Sequence, residues 1–588
     1  MSKWLFFWII ILIPALSWAI EVGGHITEDT VWSPENNPYH VVEDLYVDEG
    51  VTLRIEPGTI VEMKSAELLY PTQIGSWYWD NSGTARAKMI WVDGRILAEG
   101  TEQDSIVFTR DVNRQFYRWG CIFVSENSEE LSVFKHCKVL FPLFISPTGF
   151  ESYDGISAAS GSLMIENCLF QNVQTAIDIH GSLDNCLIKG NTFQITERND
   201  IRDYISYIYF NNGFNSDLTY IVGNTFERTD SSSAVGISIG SLGSKPIALV
   251  DNRFQGQVTL RLQGSDEPTY IYNNQFLDAR HSIMFISRFE ADTIYIHQNH
   301  LEIDPDFYGY GIEADFSYVD IADNDFYRCG IDMYASSGNV YNNYVYDDVI
   351  RSWTSSVYNN IVCYSSYYGY SMRLETPMFS NNISYFNRFV FSSLPSTVKN
   401  CILIGSESVN EFNNFYNTHR FQNCVIDFAL QDSLIDGGGN IWEDPLFVDA
   451  ENGDFHLLPN SPAIDAGFDT TAGYYPFFDM DYHERIFNDI IDIGVFEYGA
   501  PSLGTLRGYT LTTQNGEPVD YVLLKINNQD GWFEFSDSSG YYEFKLPTGT
   551  YDLHAERVFY DNAVTSGIEV EAGQITEVDI DLFSLVNV

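Results

Sequence analysis

The chain has 588 residues, of which 81 are acidic and 31 basic, so its net charge is 31 − 81 = −50. An acidic surface of this size argues against nucleic acid as a partner and disfavours anionic membranes, because both need a basic protein surface. Apolar residues make up 45% of the chain and aromatic residues 15%, which is enough for a packed core and excludes general disorder.

The first 19 residues have the features of a secretory signal peptide. Lys3 is followed by an apolar run from Trp4 to Ile13, and Ser17-Trp18-Ala19 is a small-x-small cleavage site. We therefore expect an extracellular protein, secreted or held at the cell surface. No later apolar run reaches the roughly 18 residues of a membrane-spanning helix, so no membrane insertion is expected.

Residues 20–140 predict short strands joined by tight turns. The stretch Gly50-Val-Thr-Leu-Arg-Ile-Glu-Pro-Gly58 alternates apolar and polar residues and ends in a turn. Together with Trp32 and Pro38-Tyr39, it resembles the N-terminal cap and first coil of secreted right-handed parallel β-helix proteins. A cap is needed because the first coil otherwise exposes an unpaired strand edge. Residues 64–91 break the period, and we expect an insert whose aromatic residues form a contact surface.

Residues 141–434 repeat one motif, in which an apolar residue, one or two further residues and Asn are followed by any residue and another apolar one. From Asn191 the steps to the next copy are 33, 28, 22, 25, 25, 19, 17, 22, 18 and 23 residues. A period near twenty indicates a solenoid. We expect each Asn to adopt the left-handed backbone of a bend and to bond along the axis in an asparagine ladder. This role is structural, not catalytic.

The eight cysteines lie between Cys121 and Cys424, and four of them each follow an Asn: Cys168, Cys186, Cys401 and Cys424. A position shared between coils predicts a buried stack of small apolar residues. Disulfides between coils stay open as an alternative, since strands about 4.8 Å apart permit a bridge, although parallel side chains suit it poorly.

Residues 435–499 change character. Asp444-Pro-Leu-Phe447, Ser461-Pro-Ala-Ile-Asp-Ala-Gly467 and Asp492-Ile-Gly494 resemble the segment that closes many bacterial β-helices of the pectate-lyase-like superfamily. We expect Trp442 and Phe447 to plug the end of the solenoid. Asp465 and Asp492 are expected to accept hydrogen bonds from loop backbone.

After a linker at 500–504, residues 505–588 alternate cleanly with turns at Asn515-Gly516 and Ser539-Gly540. Leu546-Pro-Thr-Gly-Thr-Tyr551 and Asp537 to Gly540 resemble the carboxypeptidase regulatory-like domain, which implies a non-catalytic spacer or binding module. No H-E-x-x-H zinc motif of a peptidase precedes it. The predicted fold is all-β: a right-handed single-stranded parallel β-helix followed by a small prealbumin-like β-sandwich.

The longer coils predict a groove walled by loops of residues 195–320. The stretch 280–328 mixes His, Arg, carboxylate and aromatic residues, which suits sugar binding, because rings stack on sugar faces. The catalytic candidates are His297, Arg280, His281 and Arg288. The substrate-binding candidates are Tyr308, Tyr310, Glu313, Asp315, Tyr318 and Tyr334. The candidate Ca²⁺ ligands are Asp304, Asp306 and Asp320, and no other cofactor is indicated. The alternative for all of these is an ordinary solvated face.

Two functions fit. The first is a non-catalytic surface protein that binds glycans or other surface polymers. The second is a polysaccharide-degrading enzyme, a lyase before a hydrolase. A polygalacturonase would need Asn-x-Asp, an Asp pair, Gly-His-Gly and Arg-x-Lys on successive coils. The pair Asp347-Asp348 is present, but Gly-His-Gly is absent and no Arg-x-Lys follows the pair. Lysines that could serve a lyase are nearly absent from the groove region, which favours the first function. The oligomeric state is left undefined.

Overall fold

The computed structural model is nearly all β-structure. It describes residues 19–63, 88–110, 120–140, 154–173, 175–181, 183–195, 206–210, 219–228, 234–239, 246–263, 267–287, 293–307, 309–352, 356–364, 372–374, 378–386, 389–391, 397–405, 419–430, 434–468 and 478–586. Residues 1–18 of the predicted signal peptide and residues 64–87 of the predicted insert lie outside these residues. None of the described helices is long and apolar enough to cross a bilayer.

Most strands stack into three parallel ladders, named first, second and third in the order in which the chain visits them in each coil. The strands of the first ladder are Thr30–Trp32, Thr52–Ile55, Arg95–Glu99, Leu131–Lys135, Ser162–Glu166, Asn185–Lys189, Thr219–Val222, Ile247–Val250, Thr269–Tyr272, Ile294–His297, Tyr318–Ala322, Ser337–Tyr341, Ser356–Tyr358, Met378–Ser380, Thr397–Lys399, His419–Gln422 and Leu434–Asp436. Those of the second are Ile60–Met63, Ile106–Arg110, Cys137–Leu140, Leu169–Gln171, Thr192–Ile195, Thr225–Arg228, Arg253–Gly256, Gln275–Ala279, His300–Ile303, Asp325–Tyr327, Tyr344–Tyr346, Ile361–Cys363, Ile383–Tyr385, Ile402–Ile404 and Val425–Ile426. Those of the third are Ile90–Val92, Ile122–Val124, Asp154–Ala158, Thr175–Ile179, Ser206–Phe210, Ala234–Ile239, Val258–Leu262, Met284–Ser287, Ile312–Asp315, Ile331–Tyr334, Ile350–Ser352, Met372–Leu374 and Phe389–Phe391. This is the predicted parallel β-helix, with Ile, Val and Phe side chains filling its interior.

The predicted asparagine ladder is confirmed at the bend between the first and second ladders. Each side-chain amide donates to the next Asn carbonyl at 2.9–3.0 Å, through Asn191, Asn224, Asn252, Asn274, Asn299, Asn324, Asn343, Asn360 and Asn382. The left-handed residue, however, is the one before the ladder Asn: Asp251 has φ 56° and Gln298 φ 57°. The prediction that one Asn fills both roles is therefore wrong for these coils.

Cysteines occupy the ladder position at both ends of the asparagine ladder. Asn167, Asn400 and Asn423 are themselves left-handed, and the cysteine after each takes the inward place. The backbone N–H of Cys168 donates to Asn191 Oδ1 at 2.8 Å. All eight cysteines are free and buried, which decides against disulfides. The predicted stack holds for Cys168, Cys401 and Cys424 but not for Cys186, which lies on the first-ladder strand Asn185–Lys189 beside Leu163.

The N-terminal cap pairs Ile20–Ile26 with the long strand Tyr39–Val47, which then bonds to both the second and third ladders. A short 3₁₀ turn, Pro34–Asn36, precedes it. The ring of Trp32 stacks on Tyr39 at 4.7 Å, and both are buried. The first coil is thus covered, as the need for a cap predicts.

The closing segment packs against the side of the solenoid. It contains the antiparallel strands Phe447–Asp449 and Asp454–Leu457 around the 3₁₀ turn Ala450–Asn452. Its apolar residues cover outward side chains of the second ladder, in a cluster of Ile361, Cys363, Ile383, Ile402, Val425, Phe455, Leu457, Ala463, Ile493, Val495 and Phe496. The predicted plug is wrong, because Trp442 is 53% exposed and Phe447 packs on Phe455 at 5.3 Å. Asp492 does accept backbone N–H groups, from Asp465 at 2.7 Å among others.

The C-terminal domain is the predicted small sandwich of two sheets. The first contains Gly504–Thr512, Tyr541–Leu546, Ile575–Glu577 and Ile580–Leu582, and the second Leu523–Ile526, Phe533–Phe535, Gly549–Glu556 and Ala563–Val570. Its core includes Leu506, Leu524, Tyr542 and Leu553.

This domain docks on the outward face of the first ladder. The buried contact cluster joins Val133, Met164, Leu187, Tyr220, Val222, Ala248, Val250, Tyr270, Tyr272 and Tyr295 of the solenoid to Tyr521, Leu523, Phe533, Phe535, Val558 and Phe559 of the domain. Polar contacts border it: Lys189 Nζ lies 2.6 Å from Asp520 Oδ2, and the Tyr521 hydroxyl donates to Asp251 at 2.9 Å. The first ladder is therefore closed to large ligands over these coils.

Candidate functional site

The outward face of the third ladder carries a file of side chains that no described domain covers. Consecutive strands align Tyr209, Ser238, Arg261, Phe285, Glu313, Asp332 and Arg351, which we call the outer column. All are half-buried except Arg261, which is exposed. Each points outward because its two neighbours in the strand are buried, as at Leu260 and Leu262, and successive side chains of a strand point to opposite faces.

Glu313 is the most constrained carboxylate of the outer column. The Ser282 hydroxyl donates a hydrogen bond to it, and the Tyr310 backbone N–H donates to Ser282 Oγ at 3.1 Å. Burial raises the pKa of Glu313, the Ser282 bond lowers it, and the charges of Asp332 and Asp315 raise it again. The net effect is a carboxyl that holds a proton more readily than usual.

Arg351 is the last residue of the outer column, and the next strand of the ladder places Arg373 in register with it. Its guanidinium lies over the Tyr310 ring, 5.2 Å from the centroid, and bonds the Tyr310 hydroxyl. One guanidinium nitrogen is 3.5 Å from Asp332 Oδ2. At the neighbouring loop, burial raises the pKa of Asp348 to about 7, although a backbone hydrogen bond from Val349 and the charge of Arg351 act in the opposite direction.

Aromatic rings flank the same face at the corner that leads to the first ladder. Asp315 and Tyr334 are outward on the strands of Glu313 and Asp332, and Tyr334 is 47% exposed. The Phe316 ring meets Tyr334 edge-on at 5.9 Å, and Tyr318 is exposed just beyond. Carboxylates, one arginine and exposed rings thus lie side by side along three coils.

The structure therefore gathers five of the predicted substrate-binding residues in one region: Tyr310, Glu313, Asp315, Tyr318 and Tyr334. Arg280 and His281 lie on the loop before the same ladder, where Arg280 covers the Phe307 ring at 5.3 Å. Arg288 and Tyr308 lie outside the described residues.

His297 and Asp320 are not part of this region. Both sit on the first ladder, where His297 Nε2 is 3.0 Å from Asp320 Oδ1 and the His297 ring stacks on Phe533 of the docked domain at 5.0 Å. His297 is only 8% exposed. The docked domain thus occupies the place that a substrate at His297 would need.

The candidate Ca²⁺ ligands are also separated. Asp304 and Asp306 share one turn after the second ladder, where Asp304 Oδ1 accepts the Asp306 N–H at 3.0 Å, whereas Asp320 lies on the first ladder. Across the described parts of the chain, no three His, Cys, Asp or Glu side chains group as metal ligands.

Sequence reasoning missed Arg261, Phe285, Asp332 and Arg351. The available signal is a triplet with an outward residue between two inward ones, once per coil: Leu260-Arg-Leu262, Met284-Phe-Ile286, Ile331-Asp-Met333 and Ile350-Arg-Ser352. The Asn motif marks the bend between the first and second ladders, whereas the outer column lies on the third ladder. Aligning these triplets from coil to coil would have predicted the outer column.

Comparisons with known proteins identify the C-terminal domain and little else. The family model of the carboxypeptidase regulatory-like domain matches residues 505–583. No curated protein matches the sequence. Among solved structures, the Bacillus anthracis TIE protein is similar at 19% identity over 14% of this chain, with a TM-score of 0.13, and the match spans only 16% of that chain.

A Yersinia enterocolitica family 28 exopolygalacturonase is similar at 9% identity over 67% of this chain and 74% of that one, with a TM-score of 0.25. At these TM-scores neither structure supports an inference about function. The ladders and the family model together define the molecule, which is a right-handed parallel β-helix with a C-terminal carboxypeptidase regulatory-like domain docked on its first ladder.

Proposed function

We propose that this is a secreted or cell-surface, non-catalytic protein that binds polysaccharide along the outward face of the third ladder. The observation that carries the proposal is the outer column itself. It is a continuous file of aromatic and hydrogen-bonding side chains on a face left uncovered by the two elements that pack on the other ladders.

The residue types fit a sugar chain. Tyr334, Phe316 and Tyr318 offer exposed apolar rings against which pyranose faces can stack, and Glu313, Asp315 and Asp332 supply acceptors for sugar hydroxyls. The sheet repeats this chemistry on successive coils about 4.8 Å apart. A polymer lying along the solenoid axis would therefore meet several similar contacts in a row.

The pKa shift at Glu313 favours a glycoside hydrolase as the second candidate. Glu313 and Asp332 are two outward carboxyls in register on adjacent strands, and the raised pKa of Glu313 suits the general acid of such a pair. Arg351 is held by Tyr310 and Asp332, which disfavours it as the free base of a lyase.

The test uses the mature chain in affinity electrophoresis through gels that contain single polysaccharides, followed by a reducing-end assay. At least one polysaccharide should retard the protein, and Tyr334→Ala should weaken this binding about tenfold, or 1.4 kcal/mol. The matched control is Tyr509→Ala, an equally exposed ring on the far sheet of the C-terminal domain. Retardation by no polysaccharide, or equal binding by Tyr334→Ala, would overturn the proposal. New reducing ends that vanish in Glu313→Gln would establish the hydrolase instead.

A further inference from the structure

We infer that the outer column selects uncharged polysaccharide chains and rejects polyuronates. This inference rests on the proposed function and names the ligand class of the same surface. Its basis is the balance of charge on the coils that carry the exposed rings.

Three carboxylates face outward on two neighbouring strands of this surface. Glu313 and Asp315 belong to Ile312–Asp315, and Asp332 to Ile331–Tyr334, with Glu313 directly beside Asp332 in register. Their mutual repulsion is visible in Glu313, whose pKa the charges of Asp332 and Asp315 both raise. A uronate placed on the ring of Tyr334 would add a fourth negative charge beside Asp315 and Asp332.

Arg351, the arginine of the outer column next to Asp332, is already occupied. Arg351 shares its guanidinium between Asp332, at 3.5 Å, and the hydroxyl and ring of Tyr310. Recognition of a sugar carboxylate uses a guanidinium whose fork is open for two parallel hydrogen bonds. For Arg351 to bind a uronate, Asp332 would have to lose its ion-pair partner.

Other arginines of this ladder lie on both sides of these strands. Arg373 is in register with Arg351 on the next strand. Arg261 is two strands above Glu313 and covers the Phe285 ring at 5.6 Å, and Arg280 covers Phe307 on the loop. By strand register, Arg373 lies two strand spacings from Asp332, about 10 Å, and Arg261 lies three, about 14 Å. Both distances reach the Debye length at 0.1 M salt, so neither arginine does much to offset the charge at Asp332. The net charge of −50 adds a long-range field of the same sign.

An uncharged sugar avoids this conflict, because its hydroxyls donate hydrogen bonds to carboxylates. Glu313, Asp315 and Asp332 then act as acceptors for the ligand and no ion pair has to break. The same three residues that exclude a polyanion thus hold a neutral chain.

The test compares two polymers that differ only in charge: polygalacturonan and the same polymer after reduction of its carboxyl groups to primary alcohols. We expect the wild-type mature chain to bind the reduced polymer at least tenfold more tightly at pH 7 and 0.1 M salt. The triple variant Glu313→Gln, Asp315→Asn, Asp332→Asn should bind polygalacturonan at least tenfold more tightly than wild type does. The matched control removes three exposed charges from the C-terminal domain, as Glu517→Gln, Glu569→Gln, Glu571→Gln, and should leave the preference unchanged.

The outcomes separate the inference from the proposal on which it rests. If wild type binds polygalacturonan as well as the reduced polymer, or better, the charge argument is wrong and the binding surface stands. If the two triple variants change the preference equally, net charge and not the outer column sets it. If wild type and the charge-removed variants bind neither polymer, nor any in the gel panel, the proposed function itself fails.

Discussion

Each ladder asparagine is a crowded hydrogen-bonding centre inside the solenoid. The Asn274 side-chain amide donates to Leu249 O at 2.9 Å and to Asn299 Oδ1 at 2.9 Å, and its carbonyl accepts two N–H groups of Asn252. Asn274 is 1% exposed, so no solvent replaces these partners. Buried polar groups left unpaired cost about 1–3 kcal/mol each.

Replacing Asn274 with alanine should therefore lower the free energy of unfolding by about 2–4 kcal/mol, because partners above and below lose their bonds together. Denaturant midpoints measured by circular dichroism check this. The control is Gln275→Ala, one residue later on the exposed face, which should stay within about 0.5 kcal/mol of wild type. Equal midpoints for the two variants would contradict a structural ladder.

At the residue scale the sequence predicts the asparagine ladder. It does not predict which residue of each bend is left-handed and which one bonds along the axis. The period and the apolar neighbours are visible in the sequence, and they place Asn inside a stack. Asn342-Asn343 shows why the bend is ambiguous: the first residue has φ 54° and the second bonds along the axis. Asn satisfies either role, so residue type alone does not separate them.

The closing segment is held by a buried ion pair. Arg485 Nη1 lies 3.3 Å from Glu497 Oε1, and both side chains are 2% exposed. Glu497 also accepts the Asp492 backbone N–H at 3.1 Å. Burial raises the pKa of Glu497 to about 8, while the charge of Arg485 opposes that rise.

Arg485→Met should release the segment locally, since removing one partner of a buried pair costs about 3–5 kcal/mol. We expect faster hydrogen exchange across 478–499 and unchanged exchange in the coils of the asparagine ladder. The control is Arg507→Met, which breaks the exposed pair with Glu577 and should leave closing-segment exchange as it is. Protection in Arg485→Met equal to wild type would show that apolar packing alone holds the segment.

The position of the closing segment was predictable from the residue types at the outward positions of the second ladder, which the Asn period does not reveal. Along the second ladder, the outward place passes from Gln275, His300 and Asp325 to Tyr344, and then to Ile361, Ile383, Ile402 and Val425. Strands apolar on both faces must be covered on both. The family resemblance predicts a cover at the end of the chain, whereas these isoleucines require one on the side.

At the scale of the whole molecule, the first ladder also has apolar residues on its outward face, and these too must be covered. Outward Tyr220, Tyr270 and Tyr295 call for a partner, and the rings of Phe533 and Phe535 provide it: Tyr270 meets Phe533 at 4.7 Å. The sequence predicts both domains, but no motif within either domain predicts that they dock on each other. Docking depends on the match of two surfaces that lie some 250 residues apart in the sequence. It covers the outward face of the first ladder, whereas the outer column of the third ladder is left uncovered by this domain.

Two acidic side chains, Glu534 and Asp323, are buried at one edge of the interface between the C-terminal domain and the first ladder. Among the described residues, their hydrogen-bond and charge partners include no arginine or lysine. Glu534 of the C-terminal domain lies against the Tyr272 hydroxyl and Gln298 Nε2, near Asp323. Burial raises the pKa of Glu534 to about 8, the bonds from Tyr272 and Gln298 oppose the rise, and the charges of Asp323 and of Glu543 in its own domain add to it. Burial likewise raises the pKa of Asp323, against the charge of His297.

Because the docked pKa of Glu534 exceeds its ordinary value of 4.5, docking takes up a proton. The contribution of Glu534 is most favourable below about pH 4.5 and is lost as the pH rises through 8, on the order of 4 kcal/mol in all. Small-angle scattering and hydrogen exchange at Thr269–Tyr272 should show looser docking at pH 9 than at pH 5. Glu534→Gln should flatten this dependence, since it keeps the shape and removes the charge. Equal pH dependence in Glu534→Gln and wild type would assign the effect to another group.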